Sequence, residues 1–404
     1  MKLIDACEII VDCPHSTAKD EGCGIPLVRT PNIGKGRLDL NGVHRVSETV
    51  YNQRNERAVP QFEDLILARE APVGNVAMIT KGQKVCLGQR VVLIRPNKAI
   101  ANPAYLTYYL LSDKVQHRLK NNANGAVVAH LNMNEIRNLE ITLPPLDEQN
   151  RIASILTSID DKIDLNNRIN HNLEEQAQAL YKSWFVDFEP FKDGKFVESE
   201  LGMIPEGWRV TSLDEMTSKF GTGLNPRKNF VLGTGNNYYV TIKNMGDNRI
   251  FLNDRCDKID DEALKKIDRR SKLRKGDLLF SGIGTIGRVA VVNEEPLNWN
   301  TSESVFNMHP KEGYSTEFLR QLLLSSSLQE YVIQNAHGGV QQGIRMASLK
   351  AYSMPLPKTD ILKQFDALVT PIITKINNNN KQSDSMINMR DSLIPRLISG
   401  QIVL

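Results

Sequence analysis

Apolar residues over 152–185 and 365–398 recur in alternating steps of four and three, which is the spacing of a coiled-coil seam. Each stretch predicts one long helix, and 34 residues would form a rod of about 50 Å. The seam of the first helix holds Ile152, Leu156, Ile159, Ile163, Leu173, Ala177, Leu180 and Trp184. That of the second holds Phe365, Val369, Ile372, Ile376, Asn379, Ser383, Met386, Leu393 and Leu397.

Both seams are polar at the centre and apolar at the ends. Asn166 and Asn170 lie on the first seam, and the run 377–380 is all asparagine in the second. Neither helix has enough partner surface of its own, so we expect the two to pack against each other as an antiparallel pair. The alternative is that they are unrelated helices of two larger cores.

The rest of the chain repeats at the same offset. Residues 64–67 (DLIL) and 73–79 (VGNVAMI) return 213 positions later as 277–280 (DLLF) and 286–292 (IGRVAVV). Pro144 returns as Pro357, and Asn32 matches Asn244 at an offset of 212. The pattern predicts a duplicated unit of domain plus helix with pseudo-two-fold symmetry. A repeated scaffold with divergent loops suits reading two signals a set distance apart, such as half-sites on duplex DNA.

Short apolar runs between turn residues predict a β-rich domain before the first helix, and the same pattern recurs after it. We therefore predict an α+β chain of two homologous mixed domains separated by two long helices packed as an antiparallel coiled coil. The predicted boundaries are a first domain over 1–145, a central helix over 146–190, a linker over 191–208, a second domain over 209–357 and a C-terminal helix over 358–404.

Composition narrows the function only loosely. The formal net charge of +3 is small for 404 residues, so a polyanion would have to meet a local patch. Five cysteines without regular spacing indicate reduced thiols, and Cys13, His15 and Cys23 lack a second pair at zinc-ligand spacing. No apolar leader or membrane-length segment is seen, so we expect a soluble cytoplasmic protein.

Two motifs resemble catalytic signatures. Residues 282–287 (GIGTIG) fit a dinucleotide-binding loop, but a strand follows instead of a helix, so we predict a tight hairpin turn. Residues 102–105 (NPAY) are similar to a loop of adenine methyltransferases, but no glycine-rich cofactor loop precedes them, so we predict a helix cap. We therefore expect a protein without catalytic or metal-binding residues.

Several sequence segments resemble those of the specificity subunit of type I restriction-modification enzymes. They are 143–149 (LPPLDEQ), 184–190 (WFVDFEP), 200–208 (ELGMIPEGW) and 390–401 (RDSLIPRLISGQ), and the resemblance covers the whole chain. The second helix departs from it, because the segment before it, 357–364, lacks the proline pair and the Glu-Gln of the first.

The resemblance implies two target-recognition domains that each read half of a split sequence in double-stranded DNA. It implies helices that set the gap and dock two methyltransferase subunits, through which two restriction subunits join. The chain itself would bind no cofactor, and its partners would use S-adenosylmethionine, ATP and Mg. Three alternatives stay open: a protein-binding scaffold without sequence readout, a subunit that itself methylates, and a methylation-only system.

Candidate DNA contacts are polar and basic residues in the divergent loops, because Arg and Lys suit guanine, Asn and Gln suit adenine, and any cation suits phosphate. In the first domain they are Arg29, Asn32, Lys35, Arg37, Arg69, Gln89, Arg90, Asn124 and His130. In the second they are Arg227, Lys228, Lys243, Asn244, Arg269, Arg270, Arg274, Gln341, Gln342 and Arg345. The run 265–275 holds seven cations against one anion, Asp268.

Overall fold

The chain divides into two compact units. The structure, a computed structural model, describes residues 1–70, 72–121, 130–246, 248–339, 342–402 and 404. The first unit holds Met1–Arg168 and Asn379–Leu404, and the second holds Ile169–Asn378. Each unit thus contains part of each long helix, so the boundary between the two units falls within both helices. The domain boundaries drawn from the sequence stay a prediction.

The described residues of 1–185 form seven short strands and five α-helices. They are β1 (Cys7–Asp12), β2 (Ile25–Val28), β3 (Arg45–Val46), α1 (Glu48–Arg54), β4 (Leu65–Ala68), β5 (Val76–Met78), β6 (Cys86–Leu87), β7 (Val91–Pro96), α2 (Pro103–Leu111), α3 (Asp113–Asn121), α4 (Met133–Arg137) and α5 (Leu146–Phe185). Strands β1-β7-β4-β5 form an antiparallel sheet, and β3-β2-β6 form a second sheet in which β2 and β6 are parallel.

Residues 196–398 repeat this plan with a few extra hairpins. The elements are β8 (Phe196–Ser199), β9 (Gly202–Pro205), β10 (Arg209–Ser212), β11 (Thr217–Thr222), β12 (Asn237–Val240), β13 (Met245–Gly246), β14 (Arg249–Ile250), β15 (Asp257–Ile259), α6 (Asp261–Ser271), β16 (Leu278–Ser281), β17 (Val289–Val291), β18 (Trp299–Thr301), β19 (Val305–Pro310), α7 (Thr316–Leu324), α8 (Ser326–Gln334), β20 (Ala336–His337), β21 (Gly343–Ile344), α9 (Met346–Lys350), β22 (Ser353–Leu356) and α10 (Thr359–Ile398).

The sheets of the two domains have the same topology. The order β11-β19-β16-β17 matches β1-β7-β4-β5, and β15-β12-β18 matches β3-β2-β6. Even an irregularity recurs, because the register shifts between Cys7 and Ile9 in one domain and between Thr217 and Lys219 in the other. The α+β fold with two similar domains and two long helices is confirmed. Among the described residues, no helix combines the length and apolar character needed to cross a membrane.

The apolar positions Leu106, Tyr109, Leu110 and Val115 predict one helix over 105–119, and this prediction is wrong. The structure has α2 and α3 with Ser112 between them in an extended conformation, and the Ser112 hydroxyl donates to the Tyr109 carbonyl at 2.6 Å. Ser325 does the same between α7 and α8, donating to Leu322 at 2.7 Å. A serine hydroxyl competes with the helical hydrogen bonds, so a continuous apolar pattern does not reveal the break.

Two local predictions, a hairpin turn and a helix cap, can be compared with the structure, together with one turn that the two domains share. The 282–287 segment joins antiparallel β16 and β17, as the hairpin prediction requires. Asn102 caps α2 by accepting from the Tyr105 N–H at 3.0 Å. Before the central strand, Gly276 and Glu63 both have positive φ, 87° and 71°. The glycine of the second domain therefore fits a conformation that strains the glutamate of the first.

Each unit buries an apolar core between its domain and its halves of α5 and α10. In the first unit, Ile152 and Leu156 of α5 share a core with Ile394 and Leu397 of α10. In the second, the Phe365 ring of α10 lies 4.8 Å from that of Phe185 of α5. In the first unit, Asp160 of α5 pairs with Arg390 of α10, and the later Asn166 bonds to the earlier Ser383, so these halves run antiparallel.

At several points, the residues that the two helices bury are not the predicted seam residues but the ones that follow them. Ile159, Leu180 and Trp184 are half-buried, while the following residues Asp160, Tyr181 and Phe185 are buried. In α10, Ile372 and Leu393 are half-buried, and the following residues Ile373 and Ile394 are buried; Met386 is half-buried, and Arg390 one turn later is buried. A helix that packs against both a partner helix and a domain buries a wider stripe, which follows the 3.6-residue period instead of 3.5.

Replacing Phe365 by alanine should destabilise the protein by about 3–5 kcal/mol, because it removes a buried ring and leaves a cavity. Phe365 is 0% exposed and contacts the rings of Tyr181, Trp184, Phe185 and Phe318. The free energy of unfolding in urea measures the effect. The matched control is Leu368→Ala on the same helix, an exposed position that should change stability by less than about 0.5 kcal/mol.

Candidate nucleic-acid interface

Helix α6 carries a basic face because its sequence is amphipathic. The Asp260 carboxylate caps it by accepting from the Ala263 N–H at 2.8 Å, and Ala263 and Ile267 are buried against β12 and β15. The opposite face is exposed and basic, and the exposed cations continue after the helix ends. The exposed cations of this run are Lys265, Lys266, Arg269, Arg270, Lys272, Arg274 and Lys275.

Few carboxylates neutralise this run. Among the described residues, the ion pair that involves this run is between Lys265 and Glu262, with an N–O distance of 3.8 Å. Arg270 donates to the Thr222 hydroxyl at 3.3 Å, and in the described part of the chain Arg269 and Arg274 have no side-chain partner. Unpaired cations on one helix face attract a polyanion more strongly than the small net charge implies.

The loop that holds Arg227 and Lys228 lies beside α6. Lys266 donates to the Asn229 carbonyl at 2.9 Å, and Phe230 packs against the apolar side of the helix. Arg227 and Lys228 are both exposed. The structure therefore brings together five sequence-predicted or neighbouring cations, which we name the basic surface: Arg227, Lys228, Lys266, Arg269 and Arg270.

The other candidates of the second domain fall into two groups. Lys243, Gln342 and Arg345 are exposed, and Arg345 lies just before α9. Asn244 is 3% exposed, and its side-chain oxygen accepts from the Thr241 N–H at 2.9 Å. Asn32 accepts in the same way from Arg29 at 3.0 Å, so this repeated asparagine closes a turn in both domains. Gln341 and Asn124 lie outside the described residues.

Candidates of the first domain cluster where β1 and β4 end and β7 begins. Arg69 is largely buried, pairs with Asp12 at 2.6 Å and donates to the Leu131 carbonyl at 2.8 Å. Arg90 pairs with Glu70 at 2.9 Å and remains half exposed. The remaining members lie close by. The Gln89 side-chain oxygen accepts from the Thr17 hydroxyl, the Arg29 side chain packs over Gly88, and the backbone of His130 forms a β-bridge with that of Glu70.

Lys35 and Arg37 are not part of that cluster. Arg37 pairs with Asp161 at 2.7 Å and Asp164 at 3.0 Å of α5, and its side chain is 14% exposed. Lys35 pairs with Asp391 of α10 at 3.3 Å. Both cations therefore face the helices of their own unit.

Sequence reasoning missed the polar residues beneath this contact. Asp160 of α5 is 2% exposed and accepts from Arg390 of α10 at 2.7 Å and from the Tyr108 hydroxyl at 2.6 Å. Burial raises the pKa of Tyr108, and the nearby Asp160 carboxylate raises it further. A search for apolar seam residues passes over Asp160 and Arg390. Their opposite charges on two helices expected to pair could have indicated an ion pair between them.

The described residues contain no group of three His, Cys, Asp or Glu side chains placed to hold a metal. Of the zinc candidates, Cys13 is buried and its sulfur accepts from the Val91 N–H at 3.3 Å. Burial raises the pKa of Cys7 to about 12 and of Cys86 to about 11, so these thiols stay protonated at neutral pH.

Comparison with known proteins agrees with the motifs. The sequence model of the type I restriction modification DNA specificity domain matches residues 1–175 and 205–382. The type I restriction enzyme MjaIX specificity subunit of Methanocaldococcus jannaschii is 27% identical over 365 residues, 89% of this chain and 82% of that protein. The HindI specificity subunit of Haemophilus influenzae is 24% identical over 376 residues, 78% of this chain and 80% of that protein.

Among solved structures, the S subunit of a type I restriction-modification system from M. genitalium covers 98% of this chain and 95% of its own, with 13% identity and a TM-score of 0.47. Because the family model matches two segments that together span most of the sequence, the chain belongs to the type I restriction-modification DNA specificity family. Its function is DNA sequence specificity within such a system.

Neutralising two cations of the α6 run should weaken DNA binding mainly at low salt, where released counterions contribute most to the affinity. In the double variant R269Q/R274Q, the slope of log Kd against log salt should fall in magnitude by about 2, because each lost phosphate contact removes about 0.9. Equilibrium binding to one duplex across a salt series measures this. The control K192Q/K195Q removes the same charge near the β8–β9 hairpin, and an equal change there would contradict a local DNA contact.

Proposed function

We propose that this chain is a non-catalytic recognition subunit that reads a bipartite DNA target through its two domains. The observation that carries the proposal is the repetition of one sheet topology in two domains whose loops differ. A common scaffold presents each set of loops in the same way, and divergent loops give each domain its own base sequence. Base contacts come from these loops, and cations such as those of the basic surface hold the phosphates.

The long helices set the distance between the half-sites. Each has 40 residues, so each is about 60 Å long if straight. A helical pair is stiff, whereas a flexible linker of that length would sample many separations. A stiff connection therefore accepts one spacer length and rejects its neighbours.

Two methyltransferase subunits dock on the helices, and two restriction subunits join through them where the system has a nuclease. Each methyltransferase flips an adenine out of the duplex and methylates it. S-adenosylmethionine, ATP and Mg are used by these partners and not by this chain. In support, the 282–287 motif forms a hairpin turn and Asn102 a helix cap, so neither resembles a catalytic loop in its local structure.

Lengthening both helices by one heptad should change the spacer and preserve both half-sites. Insertions of seven residues after Arg168 and after Asn378 fall where each helix passes between the units. Seven residues add about 10 Å and keep the seam in phase, so the preferred spacer should grow by about three base pairs. Methylation of a duplex library with variable spacers measures it.

The matched control inserts seven residues in α5 alone. It should disrupt the helix pair and lower methylation at every spacer length. If the double insertion methylates the original spacer best, the helices are not the element that measures distance.

A further inference from the structure

The loop between β2 and β3 contacts the helices at Gly36, where a larger residue would be strained and crowded. Gly36 has a φ of 91°, and a Cβ atom there would lie 2.9 Å from the Asp160 side-chain oxygen of α5. The loop is held from its other side, because Gly36 accepts from the Met78 N–H and donates to the Val76 carbonyl. Gly36 thus lets a loop of the recognition domain close onto a buried carboxylate of the helix.

Two cations next to Gly36 reach the helices. Arg37 forms two ion pairs with α5, to Asp161 and Asp164, and Lys35 forms one with α10, to Asp391. An arginine fork that meets two carboxylates fixes orientation as well as distance. Burial raises the pKa of Asp164, and the Arg37 charge opposes that shift.

Beneath the ion pairs lies a fully satisfied carboxylate. Asp160 accepts from the Tyr108 hydroxyl of α2 and from Arg390 of α10, and Arg390 also donates to the Lys35 carbonyl at 3.3 Å. This network ties two parts of the domain to both helices. A buried charge that loses its partner is strongly unfavourable, so the contact resists sliding or tilting.

The second domain has the corresponding loop, but the residues at the equivalent contact positions differ. The β13–β14 hairpin is the counterpart of the Ile33–Leu38 bridge, at an offset of 212. At an offset of 213, however, Tyr108 corresponds to Gln321 and Asp160 to Ile373. The buried carboxylate at this node is therefore particular to the first unit.

We infer that the loop residues Lys35, Gly36 and Arg37, together with Asp160, Asp161 and Asp164, form a clamp that fixes the first recognition domain on the helices and thereby sets the spacer length it accepts. The inference rests on the proposed bipartite readout. It makes Lys35 and Arg37 positioning residues and removes them from the candidate base or phosphate contacts, because both already pair with aspartates of their own unit.

The test uses the full chain assembled with its methyltransferase subunits. Duplexes carry constant half-sites and either the preferred spacer or one that is a base pair longer or shorter. In R37Q, the preference for the native spacer over its neighbours should fall by about tenfold while the half-site sequences stay the same. R37K, which keeps the charge, should restore part of the preference. The control K98Q removes a cation that pairs with Glu63 inside the domain and should leave the spacer preference unchanged.

A second variant separates positioning from DNA contact. D161N/D164N leaves Arg37 intact and removes its partners, so the clamp predicts the same relaxed spacer preference. If Arg37 instead contacts DNA, this variant frees its charge, and DNA binding should tighten at every spacer. That result would overturn the inference. So would a uniform loss of affinity in R37Q with a smaller salt slope, or a changed base preference in one half-site. If the unmodified complex shows no spacer preference at all, the proposed function fails and not the clamp alone.

Discussion

The structure depends on the antiparallel packing of α5 against α10 within each unit. A single long helix with one apolar stripe cannot bury that stripe alone, and here each half of each helix buries it against the other helix and a domain. The two ends use different side chains. Aliphatic residues such as Ile152 and Leu397 meet in the first unit, and aromatic rings such as Phe185 and Phe365 meet in the second.

The centre of the pairing is polar and therefore specific. Asn166 is 0% exposed, and its amide donates to the Gln382 side-chain oxygen at 3.0 Å and to the Ser383 hydroxyl at 3.2 Å. A buried asparagine stabilises less than a leucine would, but any shifted register leaves it without partners. In the proposed function the helices set a distance, and for that role one register matters more than the highest stability.

Much of the fold could be predicted from sequence because it rests on periodicity. The apolar seams predict both helices, and the 213-residue offset predicts that the two domains share a topology, which their sheets confirm. The break at Ser112 could not be predicted, because a hydroxyl decides it and the apolar pattern continues across it. The burial of Asp160 was missed for a similar reason, since a seam is recognised by its apolar residues.

The candidate site was less predictable, because residue type alone does not tell a free cation from a paired one. Arg269 and Arg37 are both arginines in or next to divergent loops. Arg269 is exposed on α6, whereas Arg37 is paired with two aspartates about 125 residues away in sequence. Likewise, Asn244 fits adenine readout by type but closes a turn in the structure. Which residues contact DNA therefore stays a prediction.

In the proposed function, one chain carries two unlike recognition domains at a fixed separation. Mapping methylated adenines across the genome, with and without this gene, tests it most directly. We expect one split motif, two short half-sites with a constant number of unspecified base pairs between them, that disappears when the gene is deleted. A methylation pattern that survives the deletion, or a lost motif that is continuous, would contradict it.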